Sequence, residues 1–202
     1  MNENFFISGP VGNLESFATS PKENKKNITV IICHPHPLFG GTMNNKVVTT
    51  LAKTFDHLGC HTVRFNFRGV EKSEGKYSEG FGETEDACAI AKWVQTERPQ
   101  DELWIAGFSF GSFVALQAAK KLAVKKLILV APAVENFNFG FEIPVPWILV
   151  QGEADEIVSP LAVFEWAEKC NVKPKIIRME NTSHFFHGKL IELSEKLEEQ
   201  LR

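Results

Sequence analysis

The 202-residue sequence predicts an α/β fold, with a mostly parallel central sheet that has helices on both faces. Apolar runs such as ITVIIC (28–33) and LILVA (127–131) show almost no alternation with polar residues, which is typical of strands buried on both sides. Segments with helical spacing separate these runs, and this arrangement indicates strand–helix–strand units. The pair FFISG and LESFATS, near the start of the chain, predicts an antiparallel N-terminal hairpin.

The composition is that of one ordinary globular domain covering residues 1–202. The chain is 44% hydrophobic and has a net charge of -3, so it offers no basic face for nucleic acid. Four cysteines without a C-x-x-C pair exclude a zinc knuckle and a thioredoxin-like motif. The N-terminus lacks a signal-peptide pattern, and the longest apolar run, LILVAPAV, is shorter than a membrane span. We therefore expect a cytoplasmic monomer or homodimer without a membrane partner.

The first half of the chain alternates strands with helices. After the strand 28–33 comes a predicted helix that ends at Gly59, and the strand CHTVRFNF (60–67) follows it. The apolar positions that define this helix are Val48, Leu51, Phe55 and Leu58. The next predicted helix carries acidic residues in its first turn, where the helix dipole favours them, and an apolar face formed by Ala87, Ile90, Ala91 and Val94.

The second half continues the same alternation. Strand 103–106 leads into a helix that we predict to start near Ser112, and strands 127–131, 147–151 and 175–180 follow. A helix from about Pro160 to Cys170 precedes the last strand. The closing helix buries a stripe made of Leu190, Leu193, Leu197 and Leu201. Because the carboxyl ends of parallel strands meet at one edge of a sheet, active groups are expected there.

The segment IAGFSFGSF places Ser109 at the junction of a strand and a helix. Gly107, Ser109 and Gly111 fit the G-x-S-x-G pattern of a nucleophile elbow, in which a sharp turn exposes the serine hydroxyl. Glycines suit such a turn because backbone packs against backbone at both flanks. The pattern alone also fits a glycine-rich turn with a capping serine. A catalytic role for Ser109 therefore depends on the rest of the chain.

A serine nucleophile needs a general base and an acid that orients the base. Asp155 follows strand 147–151 and His184 follows strand 175–180, so both should reach the edge that carries Ser109. Each has rivals, which are Glu153, Glu156 and His187. We prefer Asp155 because Gly152 frees its loop, and His184 because His187 should lie at the start of the last helix, with a capping or surface role.

An acyl-transfer site also needs donors for the oxyanion, usually two backbone N–H groups. We assign one to Phe110, which follows the nucleophile, and the other to Leu38 in the loop CHPHPLFGGTMNN. A metal site built from His34 and His36 is the alternative for this loop, but two histidines without a third ligand make a poor site. We therefore expect neither a metal nor a cofactor. His57 and His61, which border a helix end, are interpreted as structural.

The segments HPHPLFGGTMNNKVV, RFNFRGVEKSEG, GFSFG, GEADEIV and SHFFHG together resemble the α/β-hydrolase superfamily, in its small dienelactone-hydrolase-like branch. The resemblance covers nearly the whole chain and implies the α/β-hydrolase fold, with its order of serine, acid and histidine. PLFGG is similar to the oxyanion loop of dienelactone hydrolases, and Arg68-Gly69 resembles an R-G turn of many α/β-hydrolases. Dienelactone hydrolases proper use cysteine where this chain has Ser109. The resemblance therefore implies a serine esterase.

The segment 131–146 occupies the place where many α/β-hydrolases insert a helical lid. It is too short for one, so we expect no lid domain. Its alternate residues Phe137, Phe139 and Phe141 could form an apolar wall for an acyl group, or could simply close the edge of the core. The expected function is carboxylesterase activity on small-molecule esters through an acyl-enzyme on Ser109. The alternatives are a thioesterase, a small amide hydrolase and a non-catalytic binding protein of the same fold.

Overall fold

The computed structural model describes residues 4–202, so residues 1–3 of the predicted domain and N-terminal stretch lie outside the described part. The strands are β1 (Asn4–Gly9), β2 (Gly12–Thr19), β3 (Ile28–Cys33), β4 (His61–Phe65), β5 (Glu102–Phe108), β6 (Lys126–Val130), β7 (Trp147–Gly152) and β8 (Lys175–Met179). The helices are α1 (Lys46–His57), α2 (Phe81–Glu97), α3 (Phe110–Ala119), α4 (Pro160–Lys169) and α5 (Leu190–Leu201). A single 3-10 turn, Pro37–Phe39, follows β3.

The eight strands form one sheet in the order β1-β2-β4-β3-β5-β6-β7-β8. Strand β2 pairs antiparallel with both β1 and β4, and every other pairing is parallel. The predicted mostly parallel sheet with an antiparallel N-terminal hairpin is therefore confirmed. The carboxyl ends of β3 to β8 share one edge, which is where the predicted site residues follow their strands.

Helices cover both faces of the sheet and form two separate apolar cores. Helices α2, α3 and α4 pack on one face, and α1 and α5 pack on the other. On β5, Ile105 faces the first core while its neighbours Trp104 and Ala106 face the second. Because both faces are buried, successive strand residues are all apolar, which explains the missing alternation in the sequence.

The start of α3 differs from the prediction, and the segment between β6 and β7 agrees with it. Helix α3 begins at Phe110 and not near Ser112, because Ser109 is the single residue between the end of β5 and the helix. Between β6 and β7, residues 131–146 form no helix, as expected for a chain without a lid. Within residues 4–202, no helix combines the length and the apolar character needed to span a membrane.

Candidate active site

The turn that carries Ser109 is held in an unusual backbone conformation by close packing. Ser109 has φ 55° and ψ -117°, and its N–H donates to the carbonyl of Val130 at 2.9 Å. A Cβ atom at Gly107 would lie 2.1 Å from the Gly111 carbonyl oxygen, and one at Gly111 would lie 2.3 Å from that of Cys33. Both flanks must therefore be glycine, and the turn fixes Ser109 at the carboxyl edge of the sheet.

The structure brings Ser109, His184 and Asp155 into one hydrogen-bonded chain. His184 Nε2 lies 3.1 Å from Ser109 Oγ, and His184 Nδ1 lies 2.8 Å from Asp155 Oδ2. His184 stands in the turn after β8 and Asp155 in the turn after β7, and both are buried. Three strand ends thus bring a hydroxyl, an imidazole and a carboxylate into an arrangement suited to activating a serine hydroxyl.

Four hydrogen bonds hold the Asp155 carboxylate. Its Oδ1 accepts from the backbone N–H groups of Ile157 at 2.9 Å and Val158 at 2.8 Å, and its Oδ2 accepts from Gln151 Nε2 at 3.1 Å as well as from His184. Burial acts to raise the pKa of Asp155, but the hydrogen bonds from His184, Val158 and Ile157 outweigh it and hold the pKa below its usual value. The ionised carboxylate keeps a proton on His184 Nδ1 and leaves Nε2 free to accept one.

The rival residues occupy other positions. Glu153 is exposed, with its carboxylate 3.7 Å from the Arg178 guanidinium. Glu156 accepts the backbone N–H of His184 at 3.2 Å, so it braces the histidine without touching its ring. His187 is exposed in the turn before α5, and the prediction that it begins the last helix is wrong because that helix starts at Leu190.

The loop after β3 does not offer Leu38 to the oxyanion. The Leu38 N–H donates to Nδ1 of His36 at 3.2 Å. Leu38 is 66% exposed and lines a surface pocket that does not include Ser109. The assignment of Leu38 was wrong because the loop forms a 3-10 turn capped by His36, a contact that residue type alone does not reveal. Within the described residues the His36 N–H has no acceptor, and His36 lines the cavity at Ser109.

Phe110 stands where the sequence placed it, as the first residue of α3. The first N–H groups of a helix have no partner within the helix, so the Phe110 N–H is available next to the Ser109 hydroxyl. The Phe110 ring packs 4.9 Å from that of His36, centroid to centroid, which brings the two chain segments together. His36 and Phe110 are therefore the pair of backbone donors that the geometry favours.

His34 ties this loop to the segment that follows β4. Its Nε2 accepts the N–H of Phe67 at 3.0 Å, and its Nδ1 donates to the carbonyl of Pro35 at 2.7 Å. Burial lowers the pKa of His34 to about 3, so the ring is neutral and both nitrogens are engaged with the backbone. His36 Nε2 faces the Tyr77 hydroxyl at 3.1 Å. With these partners, neither ring of the H-P-H segment is arranged as a metal ligand.

A cavity of about 300 Å³ opens beside Ser109. Its walls are mainly apolar and include Phe39, Phe110, Phe137, Ile157 and Val158. Of the three predicted wall residues, Phe137 lines this cavity. Phe139 is buried, with its ring centroid 5.2 Å from that of Trp166, and Phe141 is 51% exposed and does not line the cavity. The three-ring wall is wrong because residues 131–146 do not form a strand, so alternate side chains do not share a face.

Comparison with known proteins places this arrangement in context. Residues 28–164 match the family described as the alpha/beta hydrolase fold. An alpha-beta serine hydrolase homologue from Coxiella burnetii has 50% identity and a TM-score of 0.98, over 100% of this chain and 98% of that one. A serine hydrolase without a lid from Xanthomonas campestris has 44% identity and a TM-score of 0.94, over 98% and 92%. An uncharacterised protein from Rickettsia prowazekii is 34% identical over 97% of this chain and 87% of its own length.

Proposed function

The chain belongs to the alpha/beta hydrolase fold family, and on that premise we propose that it is a serine hydrolase that cleaves small carboxylic esters. A fold hosts many functions, so the proposal depends on the site itself. The observation that carries it is the continuous hydrogen-bonded chain from Ser109 Oγ through His184 to Asp155.

The first half of the reaction acylates Ser109. As Oγ attacks the ester carbonyl carbon, its proton passes to His184 Nε2, and Asp155 stabilises the imidazolium that forms. The carbonyl oxygen becomes an oxyanion, to which the N–H groups of Phe110 and His36 donate. When the carbon–oxygen bond to the alcohol breaks, His184 returns the proton to the leaving oxygen, and the acyl group remains on Ser109.

The second half returns the enzyme to its starting state. Water attacks the acyl carbon while His184 Nε2 accepts one of its protons, and a second oxyanion forms at the same donors. Collapse of this intermediate breaks the bond to Ser109 Oγ, which regains the proton from His184. The products are a carboxylic acid and a free hydroxyl on Ser109.

The cavity supports a short, uncharged acyl group as the preferred substrate part. Its volume of about 300 Å³ is at the lower end of small-molecule sites, and its walls are mostly aromatic and aliphatic. Burial lowers the pKa of His36, so this ring adds no positive charge to the wall near neutral pH. An anionic acyl group would therefore lose its hydration there without gaining a counter-charge.

Labelling with a fluorophosphonate tests the proposal directly. The reagent should add once, to Ser109, and Ser109→Ala should abolish the adduct and lower turnover of p-nitrophenyl acetate by at least about 10³-fold. Ser194→Ala, a half-buried serine on α5, is the matched control and should retain both. Intact mass and peptide mapping report the adduct. Labelling elsewhere, or turnover that survives Ser109→Ala, contradicts the serine mechanism.

A further inference from the structure

A second cavity shares no wall residue with the cavity at Ser109. It measures about 770 Å³ and lies among β2, the segment between β2 and β3, helix α1 and β4. Arg64 of β4 forms part of its wall and is only 9% exposed. Because a buried guanidinium normally has a carboxylate or several acceptors around it, its partners decide what the cavity can hold.

Arg64 is only partly partnered. Its Nη1 donates to the carbonyl of Met43 at 2.7 Å and to Asn44 Oδ1 at 3.2 Å, and its Cζ lies 4.7 Å from the centroid of the Phe17 ring. Within residues 4–202, Nη2 and Nε have no acceptor and no carboxylate oxygen lies within 4.0 Å of the guanidinium. Nε is sealed from solvent, whereas Nη2 is not. The only unpartnered nitrogen that a ligand can reach is therefore Nη2.

Arg68, four residues further on, shows how the same chain partners a buried guanidinium when the counter-charge is internal. Its Nε lies 3.1 and 3.0 Å from the two carboxylate oxygens of Asp86, and its Nη2 donates to Oδ1 at 2.7 Å. Nε and Nη2 are the two nitrogens that lack an acceptor in Arg64. A carboxylate is thus the partner that this protein gives to a buried guanidinium, and at Arg64 an oxyanion from outside could take that place through Nη2 alone.

The rim of the cavity carries two lysines and two acidic residues, and the two lysines are the groups that could contact an anion. Lys22 and Lys53 line it, are exposed, and form no ion pair with any residue from 4 to 202. Glu23 and Asp56 also line it, but neither lies close enough to pair with Arg64. A small oxyanion at Nη2 would therefore lie in the cavity that Lys22 and Lys53 also line, with no described carboxylate paired to Arg64.

We propose that this cavity binds a small molecule through an oxyanion, a phosphate or a carboxylate, held by Arg64, Lys22 and Lys53. Charge-assisted hydrogen bonds from a guanidinium to an oxyanion are stronger than those to the carbonyl and amide oxygens it now contacts. Phe17 and Ala52 also line the cavity and provide apolar surface for the rest of such a ligand. This site is independent of ester hydrolysis at Ser109.

Calorimetric titration with inorganic phosphate and, separately, with sodium acetate tests the proposal, with ionic strength held constant by chloride. At least one of the two should bind saturably with a stoichiometry of one. Lys53→Ala should weaken that binding about fivefold, which corresponds to about 1 kcal/mol for a charge at contact distance in water. Arg64→Gln should abolish it. Lys92→Ala removes an equal charge from the exposed face of α2 and should leave the affinity unchanged.

The outcomes separate cleanly. Tighter binding of phosphate or of acetate identifies the ligand group, and either result supports the site. The absence of saturable binding with both probes overturns it, as does an unchanged affinity in Lys53→Ala. Should Arg64→Gln fail to fold, the exposed double variant Lys22→Ala and Lys53→Ala carries the test, and wild-type affinity in that variant overturns the proposal. Ser109→Ala should bind the probe as the wild type does.

Discussion

The hydrogen-bonded chain at Ser109 and the mouth of the adjoining cavity differ in how strongly the surrounding structure fixes them. Along the chain, Asp155 alone accepts four hydrogen bonds, and His184 is held at both ring nitrogens. At the mouth, Phe39 is 86% exposed and Ile157 is 54% exposed. The first region is fixed by directional contacts, and the second by apolar surface open to water.

This difference suggests where the protein tolerates change. Directional contacts are lost completely when one partner is removed, because the remaining polar atom is left without its hydrogen bond. Apolar contacts are lost gradually, in proportion to the area that is uncovered. Substitutions of the hydrogen-bonded residues should therefore remove whole reaction steps, whereas substitutions at the mouth of the cavity should shift the choice of substrate.

The largest expected effect separates two histidines that lie three residues apart. His184→Ala should lower kcat/KM for p-nitrophenyl acetate by at least about 10³-fold, because Ser109 loses its base. His187→Ala should stay within about tenfold of the wild type, since His187 is exposed and takes no part in the hydrogen-bonded series from Ser109 to Asp155. Circular dichroism confirms that both variants fold. The reverse order of effects would show that the base has been misassigned.

An effect of intermediate size is expected in the pH dependence of stability, and it concerns His34 in the loop after β3. Burial lowers the pKa of His34 in the folded protein to about 3, from 6.5. Between these values the unfolded chain binds a proton that the folded chain does not, so the free energy of unfolding should fall as the pH decreases. The slope from this one group is about 1.4 kcal/mol per pH unit within that window.

His34→Gln provides the comparison for this prediction. Its amide can still accept from the Phe67 N–H and donate to the Pro35 carbonyl, but it does not titrate. Urea unfolding of both proteins between about pH 4.5 and 6.5 should show a shallower slope in the variant. Equal slopes would mean that His34 is protonated in the folded protein as readily as in the unfolded one.

The smallest effect concerns the mouth. Phe39→Ala should change the preference among p-nitrophenyl esters by about fourfold for each acyl methylene that contacts the ring, since each buried methylene contributes about 0.8 kcal/mol. Phe81→Ala, which removes another exposed ring outside this cavity, is the control.

Initial rates measured below and above the concentration at which the ester forms micelles should follow one continuous curve, because residues 131–146 form no lid helix. A sharp rise there would show that another segment covers the site.

The sheet and the partners of Ser109 could be predicted because they depend on patterns that are local in sequence. Buried strands are visible as apolar runs, and parallel pairing brings the residues after each strand to one edge. Asp155 and His184 follow two such strands, so their meeting with Ser109 required no knowledge of side-chain directions. The start of α3 was missed because Phe110 and Gly111 carry no helical signal of their own.

The oxyanion loop and the wall of the cavity could not be predicted in the same way. Leu38 was chosen by position, yet the contact that excludes it is a hydrogen bond to the His36 ring, which depends on the course of the loop. Phe139 was chosen by alternation, which has no meaning in a segment that is not a strand. The sequence also does not distinguish the surroundings of Arg64 and Arg68: within residues 4–202, Arg68 pairs with Asp86 whereas Arg64 has no carboxylate partner.

The backbone conformation of Ser109 affects which variants a screen for thermal stability would select. A φ of 55° with a ψ of -117° is a conformation that glycine adopts freely and serine does not, at a cost of about 1–3 kcal/mol. Replacing Ser109 by glycine would therefore make the protein more resistant to heat while it removes the proposed nucleophile. A screen that rewards thermal stability alone would favour that inactive variant, so stability and turnover must be selected together.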